Sequence, residues 1–230
     1  YYLPGYKSGG PTKSINNIVD RLGDDIDFLI VTRDRDFGND DRYEDVRIDT
    51  WNIVGKSKVF YASPRVFSFF GLRRLLINTP HDVLYLNSFF SYKTTVFLML
   101  LRRLSLYQNK SIIIAPRGEF SPGALQLKAY KKNLYITVIK LFPLYRDLIW
   151  QASSSREKDD ILRILSMTAK KIMVAPDLVR APSVTKGLLK VIHCDKKEPR
   201  TLRLIFLSRI SRKKNLGYLL RLLLVVYSLG

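Results

Sequence analysis

Cysteine is almost absent. Cys194 is the only one, so no disulfide can form within the chain, which fits a reducing compartment. Histidine is nearly as scarce, with only His81 and His193. The His193–Cys194 pair therefore lacks the further ligands a tetrahedral zinc site requires. No apolar run approaches the roughly 18 residues a membrane span needs. The run Val96–Leu101 is broken at once by Arg102 and Arg103. Acidic residues are few and clustered: residues 20–49 hold 11 of the 20, and residues 50–230 hold the other 9 against 32 bases. The paucity of acid leaves a net charge of +19. Residues 199–230 carry seven bases and no acid.

Apolar residues are not scarce. At 47% hydrophobic and 26% charged, the composition excludes a disordered chain and calls for a sizeable core. A surface this basic attracts polyanions, whether nucleotide phosphates, acidic headgroups or nucleic acid, or else serves solubility alone. Short apolar runs alternate with longer helical patterns. Strands are predicted at Asp27–Thr32, Val83–Asn87, Ser111–Ala115, Leu148–Ala152, Lys171–Ala175 and Leu202–Ser208. Continuously apolar stretches such as Ile112–Ile114 suit parallel strands covered on both faces. Helices are predicted at Thr12–Leu22, Pro64–Ile77, Tyr92–Ser105, Pro122–Leu141, Arg156–Leu165 and Asn215–Leu229. This alternation predicts an α/β, doubly wound, mostly parallel sheet. A domain over residues 1–198 is expected, with 199–230 opening a second, truncated one after the polar stretch Asp195–Pro199. The loop Tyr1–Gly10 reads as the sequel to a first strand, so the chain is expected to be incomplete at both ends.

Two segments suit phosphate. In Pro4–Ser14, Gly9 and Gly10 let backbone N–H groups approach a ligand, and the helix that follows supplies partial positive charge. The segment matches neither the P-loop, because Pro11 and Thr12 intervene, nor the dinucleotide fingerprint. The bland alternative is a tight turn that caps a helix. In Phe206–Leu216 an apolar strand would deliver Arg209 at its carboxyl end, with Lys214 five residues later at the mouth of a helix. A forked guanidinium and a point charge so placed can clamp a diphosphate. A basic surface turn is the alternative.

The stretch Ser208-Arg209-Ile210-Ser211-Arg212-Lys213-Lys214-Asn215 resembles the donor-site signature of glycosyltransferase family 4, with Ser208 and Asn215 in place of its glycines. The Gly9-Gly10-Pro11 loop is similar to the family's first-strand loop. Ala115–Leu125, followed by Lys128, Lys131 and Lys132, resembles its Pro-His-Gly segment and basic helix. Gln151–Glu157 and Val174–Asp177 resemble segments nearer the family's interdomain linker. All five occur in the family's order. The departures are Arg117 where the family often has His, no His near Tyr85 or Asn87, and Asp177 where Asn commonly follows the Pro.

The resemblance implies the N-terminal, Rossmann-like half of a GT-B fold plus the start of its nucleotide-sugar domain. It implies a retaining transfer from a nucleotide sugar to a glycan or lipid-linked acceptor, in cell-surface polysaccharide synthesis. Neither a cofactor nor an essential metal is implied. Arg209 and Lys214 would hold the donor diphosphate, Gly9 and Gly10 would line the phosphate or acceptor loop, and Arg117, Glu119 and Asn87 are catalytic candidates. Cytoplasmic placement, peripheral on the inner face of an anionic membrane, is expected. The residues agree about the metal, since Asp34 and Asp36 read as loop carboxylates paired with Arg33 and Arg35 rather than as a magnesium site. The alternative is a basic anion- or nucleic-acid-binding module without catalysis. No nucleic-acid motif is recognisable, however, and Phe69, Phe70, Phe89 and Phe90 sit in an apolar context that reads as core.

Overall fold

The structure, a computed structural model, describes residues 1–107, 110–142, 144–165, 171–179, 204–207 and 215–228. The chain divides into two compact units, Tyr1–Ala181 and Pro182–Gly230.

The first unit is α/β. Its opening helix, α1 (Gly10–Leu22), starts behind Gly9, whose φ of 74° is open to glycine, and carries Pro11 in its first turn, where no N–H is needed. Strand β1 (Phe28–Arg33) pairs in parallel with β3 (Ser57–Ala62), and β2 (Trp51–Val54) lies antiparallel on the far side of β3. The β2–β3 hairpin turns on Gly55–Lys56, with Gly55 at φ 56°. Helix α2 (Phe69–Asn78) is capped by Ser68, whose hydroxyl accepts the Gly71 N–H at 3.3 Å.

A second sheet follows, wholly parallel and in sequence order: β4 (Val83–Leu86), β5 (Ser111–Ile114), β6 (Ile149–Ala152) and β7 (Lys171–Val174). Each connection is helical, as parallel strands demand. A π-helical turn (Tyr92–Val96) and α3 (Phe97–Arg103) link β4 to β5. Helices α4 (Pro122–Leu125) and α5 (Ala129–Leu141) link β5 to β6, and α6 (Ser155–Leu165) links β6 to β7. The main core lies between this sheet and its helices, around Trp150, Phe89, Phe120, Met99, Ile114, Ile139 and Ile161. Each such side chain contributes about 1.5–3 kcal/mol on burial, and emptying the largest, with Trp150→Ala, would cost about 3–5 kcal/mol. Two smaller clusters clothe the three-stranded sheet, one around Phe60 and Leu72 and one around Tyr2 and Tyr61.

Five expected strands are present within a residue or two of their predicted bounds. The sequence reading missed the β2–β3 hairpin, whose turn is Gly-Lys rather than an Asn-Gly signal. The expected single helix over Pro122–Leu141 is broken, because Lys128 adopts a left-handed φ of 58° between α4 and α5. Phe70, expected in the core, is 76% exposed, while Phe89 is fully buried. In the second unit, α7 (Leu216–Ser228) follows Asn215, and no α7 side chain is buried. Of the expected strand Leu202–Ser208 only residues 204–207 are described, and these pair with no strand among the described residues. Among the described residues no helix is long and apolar enough to cross a membrane.

Candidate functional site at the carboxyl edge of the sheets

The carboxyl ends of β4 to β7 carry a continuous polar network. The backbone of Arg117 is left-handed (φ 55°), followed by Gly118 at φ 72°, and this turns the Arg117 side chain back across the sheet edge. Its Nε donates to Asn87 Oδ1 at 2.8 Å and its Nη2 to the Tyr85 hydroxyl at 2.9 Å, while Nη1 pairs with Asp177. The Tyr85 hydroxyl donates onward to Gln151 Oε1, and Gln151 Nε2 to the Ala175 carbonyl at 3.0 Å. Burial raises the Tyr85 pKa above its ordinary value, against the opposing pull of Arg117, so the hydroxyl stays a donor.

Helix α1 joins the same network. Ser14 Oγ donates to Asp177 Oδ2 at 3.2 Å, and Asn17 Nδ2 to the Leu178 carbonyl at 2.8 Å. Asp177 thus bridges Arg117 to α1, roughly one helical turn, ~6 Å, from the Gly9–Gly10 end. That end is held by Asp36, whose carboxylate accepts the N–H groups of Tyr6 (3.0 Å), Lys7 (3.1 Å) and Phe37 (2.7 Å). Burial works to raise the Asp36 pKa, but those three amides outweigh it and hold the carboxyl below its usual range. Gly5 passes so close to Tyr43 Oη and Asp36 Oδ1 that a Cβ would meet both.

Glu119 and Glu157 hold the loops around this network. Glu119 accepts from Ser88 Oγ at 2.7 Å, Phe89 N at 2.6 Å and Phe90 N at 3.3 Å, fixing the turn after β4. Burial raises its pKa, against those bonds and the nearby Lys132. Glu157 is buried in the first turn of α6 and accepts from Ser153 N (2.8 Å) and Gly118 N, so it pins the Arg117–Gly118 turn.

The structure therefore brings together Arg117 and Asn87, places Glu119 behind them as a support, and sets Gly9 and Gly10 at the start of the helix that meets Asp177. Arg209 and Lys214 lie outside the described residues. Asp34 is paired as expected with Arg35 (2.9 Å), and also with Arg42 (3.2 Å). Asp36 is not paired with Arg33; it binds backbone instead, because the glycine loop folds over it. Asp177, Tyr85, Gln151 and Ser14 were not singled out from the sequence as site residues. The one available signal was the departure from Asn at Asp177, which becomes meaningful once Arg117 stands where His is usual. His81 lies at the opposite end of β4, with its ring bonded to the Thr79 carbonyl and the Tyr107 hydroxyl. Two shallow depressions, one lined by Ser111, Ile149 and Lys171 and the other by Arg103, Leu144 and Arg146, also lie toward that opposite end. Open α/β sheets place ligands at the carboxyl ends, and the convergent polar groups are there. Among the described residues no group of three or more His, Cys, Asp or Glu side chains is placed to hold a metal ion.

No protein-family model, no curated protein and no solved structure matches the chain.

Proposed function

We propose that the chain is part of a retaining glycosyltransferase that moves a sugar from a nucleotide-sugar donor to a glycan or lipid-linked acceptor. It would act at the inner face of an anionic membrane in cell-surface polysaccharide synthesis. The observation that carries this reading is the fixed polar edge formed by Arg117, Asn87, Tyr85 and Asp177 beside the α1 helix. Amide and hydroxyl groups oriented around the Arg117–Asp177 ion pair suit a polyhydroxylated acceptor, whose own hydroxyls are both donors and acceptors.

In this reading the Asn87 and Gln151 amides and the Asp177 carboxylate orient the acceptor. Arg117 fixes them in place. The Gly9–Gly10 end of α1 offers a positive dipole to phosphate or to the developing leaving group. Arg209 and Lys214, matched to the family signature by sequence, would neutralise the diphosphate as the glycosidic bond breaks. No metal is required for that role.

Nucleotide-sugar turnover tests the reading. Arg209→Ala and Lys214→Ala should each lower kcat/KM at least about tenfold, as loss of a charge-assisted phosphate contact does. Arg212→Ala and Lys213→Ala should change it far less. Four equal, small, salt-sensitive effects would discard the clamp. Salt-sensitive retention of DNA without any donor turnover would favour the basic binding module.

A further inference from the structure

Helix α5 is apolar on two sides. Ile136 and Ile139 bury its inner face in the main core, with Tyr135 packed against it. On the outer side Leu127, Tyr130, Leu134, Val138 and Leu141 recur at spacings of three and four, which makes one stripe along the helix and the turn before it. They are 46, 82, 55, 44 and 72% exposed, and Phe142 at the end of the stripe is 65% exposed. The water-facing side of a surface helix is ordinarily polar, and a contiguous apolar strip of this length marks a contact surface.

Charge selects the occupant. From Pro122 to Phe142 there is no Asp or Glu and there are four lysines. Lys132 is drawn inward, its Nζ donating to the Ala124 carbonyl at 2.5 Å and lying 5.0 Å from the centre of the Phe90 ring. Lys128, Lys131 and Lys140 remain on the exposed surface beside the stripe. A second copy laid on this face would bring lysine against lysine. An anionic bilayer meets both demands. Its headgroup–acyl boundary takes the apolar side chains, its phosphates take the ammonium groups, and the Tyr130 phenol suits the interfacial depth. At 13 residues α5 is about 20 Å long, enough to lie in the interface and too short to cross it.

We infer that α5 is a membrane-docking helix that lies in the plane of an anionic bilayer with its outer stripe inserted and its lysines at the lipid phosphates. The inference rests on the membrane placement proposed above and adds the element and its orientation. It is independent of the glycosyl-transfer reading.

Co-sedimentation with phosphatidylcholine vesicles, with and without phosphatidylglycerol, tests it on the whole chain. The parent should bind the anionic vesicles, and salt should weaken that binding. Each lysine near such a surface is worth about fivefold in binding, so Lys131→Ala with Lys140→Ala should weaken it roughly 25-fold. Leu134→Asp with Leu141→Asp should weaken it at least as much, with thermal unfolding unchanged because both positions are exposed. Ile53→Asp, at an 85% exposed position in β2, is the control and should bind as the parent does. Equal binding of parent and α5 variants would overturn α5 as the docking element and leave the membrane placement standing. A parent that ignores anionic vesicles, or binds neutral ones equally, would overturn both, while donor turnover would still judge the enzymatic reading. A lipid-independent dimer abolished by Leu134→Asp would assign the stripe to a second copy and overturn the inference.

Discussion

Glu119→Ala is expected to destabilise the first unit by about 2–4 kcal/mol, and Glu119→Gln by less than about 1 kcal/mol. The carboxylate accepts the Phe89 amide at 2.6 Å, the Phe90 amide at 3.3 Å and the Ser88 hydroxyl at 2.7 Å. An orphaned buried donor costs about 1–3 kcal/mol. The long Phe90 bond adds little to that, and the Ser88 hydroxyl can rotate to a new partner. Glutamine keeps the shape: its Oε1 can accept both amides, and its Nε2 can donate to Ser88 Oγ. Burial raises the Glu119 pKa in the folded chain. A raised carboxyl pKa gives extra stability while the group is protonated, and that stability fades as pH climbs through the folded pKa. Glutamine, uncharged throughout, should therefore compare best with the parent at neutral pH and lose that advantage on acidification. Thermal unfolding followed by near-ultraviolet circular dichroism reads this directly. For a unit of this size, 2–4 kcal/mol corresponds to a fall in Tm of roughly 5–15 °C for the alanine variant. An alanine variant that melts with the parent, or a glutamine variant as damaged as alanine, would refute the assignment of Glu119 as a loop support. Loss of donor turnover in Glu119→Gln with an unchanged Tm would show instead that the carboxylate touches substrate.

Arg117→Lys should be nearly as damaging to turnover as Arg117→Ala, at least about tenfold in kcat/KM, because an ammonium cannot reach Asn87, Tyr85 and Asp177 together as the guanidinium fork does. Full activity of the lysine variant would show that charge alone suffices. Asp36→Asn should raise KM for the nucleotide sugar several-fold by loosening residues 5–10. The folded pKa of Asp36 is depressed, so its stabilisation is present above the unfolded value near 3.8 and is lost as pH falls through the lower folded value. The Tm gap between parent and Asp36→Asn should thus close in strong acid, and a gap constant with pH would discard the role given to its charge.

Strands β5 and β6 were legible from their apolar runs, and in each the alternate residues on one face are buried, Ile112 and Ile114 in β5 and Trp150 and Ala152 in β6, while Ile113 and Ile149 on the other face are half-buried. The β2–β3 hairpin was not, because Trp51–Val54 is short and leaves Ile53 exposed, so no two-residue alternation stands out. Arg117 and Asn87 were nameable from sequence because they stand at or near positions where the resembled family often has His, Asn87 closing one predicted strand and Arg117 just after another. Asp177 was not read as their partner, because that relation spans 60 residues and depends on β7 lying two strands from β5. Glu119 was nameable as a carboxylate near the site. Its direction was not, since the left-handed turn at Arg117–Gly118 decides which of the two neighbours faces the edge.

The two sheets leave β1 and β4 each with one side that, among the described residues, has no strand against it. These two of the four edge strands, the others being β2 and β7, are apolar: Leu29 is 37% and Val83 49% exposed. Unpaired N–H and C=O rows beside such side chains are templates for pairing between molecules. What opposes that in solution is the net charge of +19, a colloidal barrier. Its range shrinks from about 10 Å at 0.1 M salt to about 3 Å at 1 M. Salt that loosens the protein from an anionic surface would at the same time draw its own sheet edges together, so ionic strength trades one kind of association for another.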